Sequence, residues 1–324
     1  MIENNDPRGS RPQAEVLPAE SSHKKSSPSK ETLRSHRVSD KQSVKDNRVD
    51  STGKATGSAP GWWIVFIRDL NELWMGGKAP ILLFLFCILQ GALTYFMVSD
   101  TADPTPPKEM VYFTLENAIA VGLFIGLIIG ADSISGERER LTLESLLLTP
   151  ISRRQIVVGK FLAGVSPWPA AFLITVPFLI ALSQGDEILL PSLLWGTVMG
   201  TLLAPAFTAL GMVVSFWSNS NRTSLFVSLV LYFAFFIPTQ LPGGAQAGKF
   251  GRLLKQVNPM ESNGHLLEKL LVNNRTLGEF WPWLKSPVVF AVIVYGLLFW
   301  YVSSHLRFDE GGKWSFWKRK ASLS

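Results

Sequence analysis

Charged side chains are almost absent from six long parts of this sequence. Five of these stretches contain no Lys, Arg, Asp or Glu, and the sixth contains only Glu116. A helix needs about 20 mainly apolar residues to cross a hydrocarbon core of about 30 Å, and each stretch supplies that length. The pattern excludes an ordinary soluble domain and predicts an all-α membrane protein. The six predicted spans are 80–99, 111–131, 160–183, 189–216, 223–241 and 286–306.

Cysteine and histidine are also scarce. The single cysteine, Cys87, excludes an intramolecular disulfide and a zinc site built on cysteines. Gly164-Val-Ser166 in the third span is similar to the nucleophile motif of intramembrane serine proteases, which need a histidine in another span to activate the serine. His305 is the one histidine near a span, and it lies at the span's end. We therefore interpret Ser166, with Pro167, as a kink and expect no protease.

Nucleotide binding has a weak signal at 243–249, where GGAQAGK has the glycine and lysine spacing of a P-loop. A P-loop continues with Ser or Thr to hold magnesium and lies between a strand and a helix. Here Phe250 follows, and the segment leaves a predicted span. We expect no enzyme active site, no bound cofactor and no metal site in this chain.

Positive charges lie in the tails and at the ends of the spans. The net charge is +6, and residues 1–60 carry 11 Lys and Arg. No basic stripe is interleaved with aromatic residues, so we expect no nucleic-acid partner. Since positive residues favour the cytoplasmic side, we predict that the tails at 1–60 and 307–324 are cytoplasmic. The composition of 1–60 also predicts disorder, and the six spans form a domain at 79–306. The segment 242–285 fits less well, because it holds six Lys and Arg yet falls outside by parity.

Two features flank the spans. At 61–78 an amphipathic pattern predicts an interfacial helix at the membrane surface, with tryptophan at headgroup depth. In the long segment before the last span, the patterns at 250–257 and 266–272 predict two short helical segments that enter the outer leaflet, separated by Asn258 and Pro259. The apolar face of the interfacial helix consists of Trp63, Phe66, Ile67, Leu70 and Trp74.

The most charged internal segment is 130–160, which has the sequence GADSISGERERLTLESLLLTPISRRQIVVGK. Ser135 and Gly136 indicate the start of a helix over 137–148, and the capping-box pattern from Ser152 to Gln155 indicates the next helix. Two short helices held at the membrane surface by the spans on both sides indicate an element that docks a soluble partner. An ordinary solvated loop is the alternative interpretation.

This segment resembles the signature of the type-2 ABC transporter permeases. The resemblance lies in Gly130 to Arg140, in Thr142-Leu-Glu144, in Leu148 to Arg153 and in Gly159-Lys160. It extends to the layout from residue 61 onwards, including an Asn-Pro pair before the last span, and does not cover residues 1–60. Leu141 stands where many members have glycine.

The resemblance implies the membrane subunit of an ABC exporter, which couples ATP hydrolysis in a separate ATP-binding subunit to substrate movement. It further implies a second permease as partner, in a homodimer or heterodimer, within a plasma (inner) membrane of bacterial origin. The substrate stays open. A membrane anchor or assembly subunit that docks a cytoplasmic ATPase without transport is the alternative. The resemblance also implies a cytoplasmic coupling helix between spans 2 and 3. The residues that match its motif, and so take the coupling role, are Glu137, Arg138, Glu139, Arg140, Thr142, Leu143 and Glu144.

Several polar residues fall inside the predicted spans. Glu116 and Asn117 lie near the outer end of the second span. A carboxylate in a span is a functional candidate because it is costly there, and the alternative interpretation is a group hydrated at the nearby interface. The others either line a path or form hydrogen bonds between helices. They are Gln90, Thr94, Thr175, Thr197, Thr201, Thr208 and Asn219.

Overall fold

The computed structural model describes residues 60–99, 105–140, 151–183, 187–240, 256–273 and 277–305, with side chains from 283 to 301 in the last range. Regular secondary structure in these ranges is helical throughout. The predicted tails and the 243–249 segment lie outside them. The helices are α1 Gly61–Met75, α2 Lys78–Ser99, α3 Pro107–Glu139, α4 Arg153–Val165, α5 Pro167–Ser183, α6 Leu189–Trp217, α7 Asn221–Phe236, α8 Pro259–Leu271 and α9 Leu277–His305, and a 3-10 turn, Ile237–Gln240, follows α7.

Six helical segments are long and apolar enough to cross a membrane, which confirms the predicted fold class. The third begins at Arg153 rather than at 160, because Ser152 and Gln155 form the predicted capping box and the helix then runs directly into the span. The six segments are Lys78–Ser99, Pro107–Glu139, Arg153–Ser183, Leu189–Trp217, Asn221–Gln240 and Trp283–Tyr301.

The third span is broken at Ser166, between α4 and α5. Pro167 follows this residue and cannot donate a backbone hydrogen bond. The Ser166 hydroxyl donates to the Ala163 carbonyl at 2.7 Å and accepts from Trp74 Nε1 of α1 at 3.0 Å. These contacts confirm the predicted kink and give Ser166 structural partners.

The helices α3 and α6 cross in close contact at the centre of the bundle. A Cβ atom built on Gly130 would lie 2.2 Å from the Thr208 carbonyl oxygen, and one built on Gly211 would lie 2.2 Å from the Leu127 carbonyl oxygen. Small residues allow this backbone approach between membrane helices. The crossing thus forms the rigid centre against which the other spans pack.

Asn258 separates helical residues 256–257 from the helix α8, which begins at Pro259, as the sequence predicted. The Asn258 side chain accepts from the Met260 amide at 2.9 Å and donates to the Phe235 carbonyl at 2.6 Å. Pro259 takes the first helical position, where its missing amide proton costs nothing. Most of the other predicted segment, 250–257, lies outside the described residues.

The helix α8 packs near the beginning of α3. Gly264 leaves no room for a Cβ atom, which would lie 2.3 Å from Glu116 Oε1, and Leu266 and Leu267 are buried in the core. Because Glu116 and Glu139 are separated by about 35 Å along a helix that rises 1.5 Å per residue, α8 and the end of α3 lie at opposite ends of the bundle.

We expect Gly211→Ala to lower the free energy of unfolding by about 2 kcal/mol, because the added methyl group collides with backbone atoms that cannot rotate away. The matched control is Gly296→Ala on α9, where the structure shows no atom within 4 Å of the added Cβ. The control should be neutral or slightly stabilising, since alanine favours helix. Thermal unfolding of both purified variants in one detergent measures the difference. Equal melting temperatures would contradict the close crossing.

Candidate functional site

The last turns of α3 form polar contacts with five neighbouring helices, α1, α2, α4, α6 and α7. The 33 residues of α3 span about 50 Å, which exceeds a hydrocarbon core of about 30 Å. Its ends therefore reach the water interface. We name the charged residues that meet there the charged cluster: Arg68, Asp69, Glu72, Lys78, Asp132, Glu137, Arg140 and Lys160.

Lys160 of α4 lies at the centre of the charged cluster, with its side chain only 3% exposed. Its Nζ atom lies 2.8 Å from Asp69 Oδ2 of α1 and 2.7 Å from Glu137 Oε1 of α3. A buried ammonium costs several kcal/mol unless opposite charges and hydrogen bonds compensate it. Lys160 therefore holds the middle of α1 and the end of α3 against α4.

Arg68 of α1 extends the charged cluster toward solvent. Its Nη2 atom lies 2.5 Å from Glu137 Oε1 and 2.7 Å from Asp69 Oδ1. Burial by itself lowers the pKa of this guanidinium, but the charge and hydrogen bond of Asp69, with the charges of Glu137 and Glu72, outweigh burial and raise the pKa. Arg68 is thus a permanent cation beside Glu137.

The charged side of α1 contacts protein, which the amphipathic pattern did not predict. Val65 and Leu73 are buried in the bundle, whereas Trp63 and Ile67 of the predicted apolar face are 43% and 37% exposed. Exposed tryptophan and isoleucine suit a bilayer surface. The interfacial position of α1 stays a prediction. Its attachment to α4 combines ion pairs with apolar packing of Val65 against Ile156.

Two partly exposed ion pairs form the edge of the charged cluster. Arg140 Nη1 lies 2.9 Å from Glu72 Oε1, with both side chains about half exposed. Lys78, at the start of α2, binds Asp132. Asp132 also accepts from Asn221 Nδ2 at 2.8 Å, so α2 and α7 meet at one carboxylate of α3.

Hydroxyl groups continue this contact between α3, α6 and α7. Ser215 Oγ accepts from the Ser135 amide at 2.8 Å, and Ser135 Oγ donates to the Ala131 carbonyl at 2.7 Å and lies 3.0 Å from Asn221 Oδ1. Ser224 Oγ donates to the same Ala131 carbonyl at 2.8 Å. Each of these hydroxyl groups has a hydrogen-bond partner, and together they attach the end of α3 to α6 and α7.

The predicted coupling residues fall into two sets. Glu137 is 8% exposed and lies inside the charged cluster, and Arg138 Nη1 donates to the Ser218 carbonyl at 2.6 Å. Glu139 and Arg140 are exposed. Glu139 has no ion pair with any residue that the structure describes. The remaining predicted residues, Thr142, Leu143 and Glu144, lie outside the described ranges.

The predicted start of a separate helix at Glu137 is wrong. α3 continues from the second span through Ser135 and Gly136 to Glu139. Ser135 does not cap a new helix, because its hydroxyl binds the Ala131 carbonyl of the preceding turn. The first part of the predicted coupling motif is therefore the end of the helix that contains the second span.

The sequence analysis did not identify the partners of Glu137. Glu137 binds Lys160 of α4 and Arg68 of α1, both outside its own helix. A signal was present, because Lys160 lies between the apolar residues Val158 and Phe161 on a helix entering the membrane. A lysine there requires a counter-charge, although its sequence position does not say which.

Three carboxylates of the cluster have the spacing of a cation site. Oxygen atoms of Asp69, Glu72 and Glu137 lie within 4.8 Å of one another. Each of these groups already binds a cation of the chain, among them Lys160 and Arg140. The arrangement is therefore an ion-pair network in which protein side chains neutralise the acids.

Other polar residues predicted within the spans bond mainly to their own helix. The hydroxyls of Thr175, Thr197 and Thr208 each donate to the carbonyl four residues earlier. Asn117 does the same. Gln90 instead donates to the Thr114 carbonyl of α3 at 3.0 Å, which joins two spans.

Two comparisons relate this chain to known proteins. A family model described as ABC-2 family transporter protein matches residues 21–310. The ABC transporter permease protein NatB of Bacillus subtilis (strain 168) is 31% identical over 130 residues, which cover 35% of this chain and 34% of NatB. The chain thus matches about a third of the length of that relative.

We expect Glu137→Gln to lower the free energy of unfolding by about 3 kcal/mol, because it removes one of the two carboxylates that compensate the buried Lys160 ammonium. The control is Glu72→Gln, whose partly exposed pair with Arg140 contributes about 0.5 kcal/mol. Thermal unfolding in detergent compares the two. A loss of stability from Glu72→Gln as large as that from Glu137→Gln would contradict the central role of Lys160.

Proposed function

Because this chain belongs to the ABC-2 family of transporter proteins, we propose that it is the membrane-spanning permease subunit of an ATP-driven exporter. A separate ATP-binding subunit hydrolyses ATP on the cytoplasmic side, and a second permease completes the substrate path. The six spans and the permease relative support this role. The export direction follows from the resemblance of residues 130–160 to the type-2 signature.

The observation that carries the coupling role is the continuity of α3. One uninterrupted helix contains the second span, the buried Glu137 and the exposed Glu139. A force applied at the exposed end acts on the span directly, because a continuous helix has no joint at which the movement would be lost. The coupling segment is thus mechanically part of the second span.

The two sets of coupling residues then have separate tasks. Glu139 presents its charge to the ATP-binding subunit, beside Arg140, which is paired with Glu72. Glu137 passes the resulting movement to α1 and α4, because its carboxylate is bound to Arg68 and Lys160. Short charge-assisted hydrogen bonds are directional, so α3 cannot shift without moving both neighbours or breaking these pairs.

A membrane anchor that docks an ATPase without transporting anything uses the same exposed charges. The two functions differ in their energetics, since transport requires ATP hydrolysis to respond to a bound substrate. Stimulation of ATP hydrolysis by a substrate, measured with both subunits in one membrane, supports the permease. ATPase binding without any stimulation by candidate substrates favours the anchor.

The sidedness of the bundle can be measured with single cysteines. In a Cys87→Ser background, we expect Glu268→Cys on α8 to react with a membrane-impermeant maleimide in intact cells, because α8 lies at the outer end. Glu139→Cys should react only after permeabilisation, since positive charge places the end of α3 inside. The opposite pattern, or reaction of both in intact cells, would contradict the proposed orientation.

The docking role predicts a specific effect of Glu139→Arg. Like charges brought together at a close interface cost several kcal/mol, so the affinity for the ATP-binding subunit should fall by at least about tenfold, which corresponds to about 1.4 kcal/mol. Glu109→Arg is the matched control, because it makes the same change on α3 about 45 Å away. Co-purification of the ATP-binding subunit measures the effect.

Thermal stability and membrane yield of Glu139→Arg should equal those of the wild type, since no described residue depends on this carboxylate. Wild-type co-purification with Glu139→Arg would refute the docking role. Equal losses of co-purified ATP-binding subunit with Glu139→Arg and Glu109→Arg would show that docking is not located at the end of α3.

A further inference from the structure

A cavity of about 510 Å³ opens beside the charged cluster. Residues of α1, α2, α3, α4, α6 and α7 line it, so it lies between the elbow of α1 and α2 and the central helices. This volume falls within the range of small-molecule sites, about 300–1,000 Å³. None of the contacts assigned to coupling accounts for it.

The wall of the cavity near the interface carries both signs of charge. Lys78 and Asp132 form one pair, and Arg140 and Glu72 form the other. The side chains of these four residues are 22–50% exposed. Lys160 also lines the cavity, but its ammonium is buried between two carboxylates. The accessible charges are therefore two cations and two anions.

The rest of the wall is mainly apolar. Ile81 and Leu82 of α2, Ile128 of α3 and Leu225 of α7 line it. Thr208 lies at the central crossing, and its hydroxyl is satisfied by the Ala204 carbonyl at 2.9 Å. This region favours hydrocarbon, because burying apolar surface there leaves no polar group unpaired.

A head group that carries both charges matches the two accessible pairs. A purely anionic head at Lys78 and Arg140 competes with Asp132 and Glu72 for these cations, and Asp132 then keeps only its hydrogen bond from Asn221 Nδ2. A purely cationic head competes with the two cations for the carboxylates in the same way. A head group with both charges exchanges partners with each pair, which avoids the cost of an uncompensated charge.

We propose that this cavity binds an amphiphile with a zwitterionic head group and a single apolar chain. The head group lies among Lys78, Asp132, Glu72 and Arg140, and the chain lies along Ile81, Ile128 and Leu225 toward the α3–α6 crossing. This is the orientation of a lipid in the adjacent leaflet. Binding goes beyond the coupling role, whereas the identification of the amphiphile as cargo rests on the transport function proposed above.

The test uses three probes with the same hexadecyl chain: hexadecylphosphocholine, hexadecyl phosphate and hexadecyltrimethylammonium. Native mass spectrometry of the purified chain in a maltoside detergent measures their binding. We expect hexadecylphosphocholine to bind at least about tenfold more tightly than either singly charged probe. Equal binding of all three would overturn the proposal.

A pair of variants locates the site. Leu225→Trp fills the apolar part of the cavity and should weaken hexadecylphosphocholine binding by at least about tenfold. Val230→Trp, on the same helix but 51% exposed and outside the cavity, should bind like the wild type. Unchanged binding by Leu225→Trp, or equal losses in both variants, would overturn the location.

The complex with the ATP-binding subunit distinguishes the two sources of such a molecule. Selective binding with stimulation of ATP hydrolysis supports the site and identifies the amphiphile as cargo. Selective binding without stimulation supports the site and identifies a resident membrane lipid. Since probe binding is measured on the permease alone, a failure of the docking role would leave this result unaffected.

Discussion

The Lys160 ammonium is buried where a helix enters the membrane, and the arrangement around it follows from that constraint. An uncompensated charge at this depth costs several kcal/mol, so Asp69 and Glu137 must both approach it. These carboxylates bring α1 and the end of α3 to α4. Arg68 and Arg140 then balance the acids that gather there. The charged cluster is thus built outward from one buried cation.

The close crossing of α3 and α6 is the rigid part of the bundle that lies next to the charged cluster. Gly130 and Gly211 bring the backbones of α3 and α6 into contact, and tightly packed interiors transmit displacement because they contain little free volume. The charged end of α3 and its glycine contact lie on one helix. A movement of the exposed end is therefore carried to the crossing instead of being absorbed in a loop. The cavity lies between these two features, which places any bound amphiphile against α3.

Local composition was sufficient for much of the fold. The charge-free stretches predicted six spans, since burial in hydrocarbon depends on the composition of each segment alone. The capping box at Ser152 and the kink at Ser166 were predicted for the same reason, because both involve neighbouring residues. The predicted helix start at Ser135 was wrong. A serine hydroxyl has several possible hydrogen-bond partners, and at Ser135 it binds the Ala131 carbonyl of its own helix.

The chain's own pattern thus establishes which segments enter the membrane and where charge collects between the second and third spans. It does not establish which charges meet. Lys160 binds Asp69, 91 positions away, and that pairing depends on how α1 folds back across α3 and α4. Glu137 and Glu139 look equivalent in sequence, yet one is buried in an ion-pair network and the other is exposed. Contacts with α6 fix how α3 is turned about its own axis. In this orientation Glu137 faces α1 and α4, and Glu139 faces away from them and is exposed.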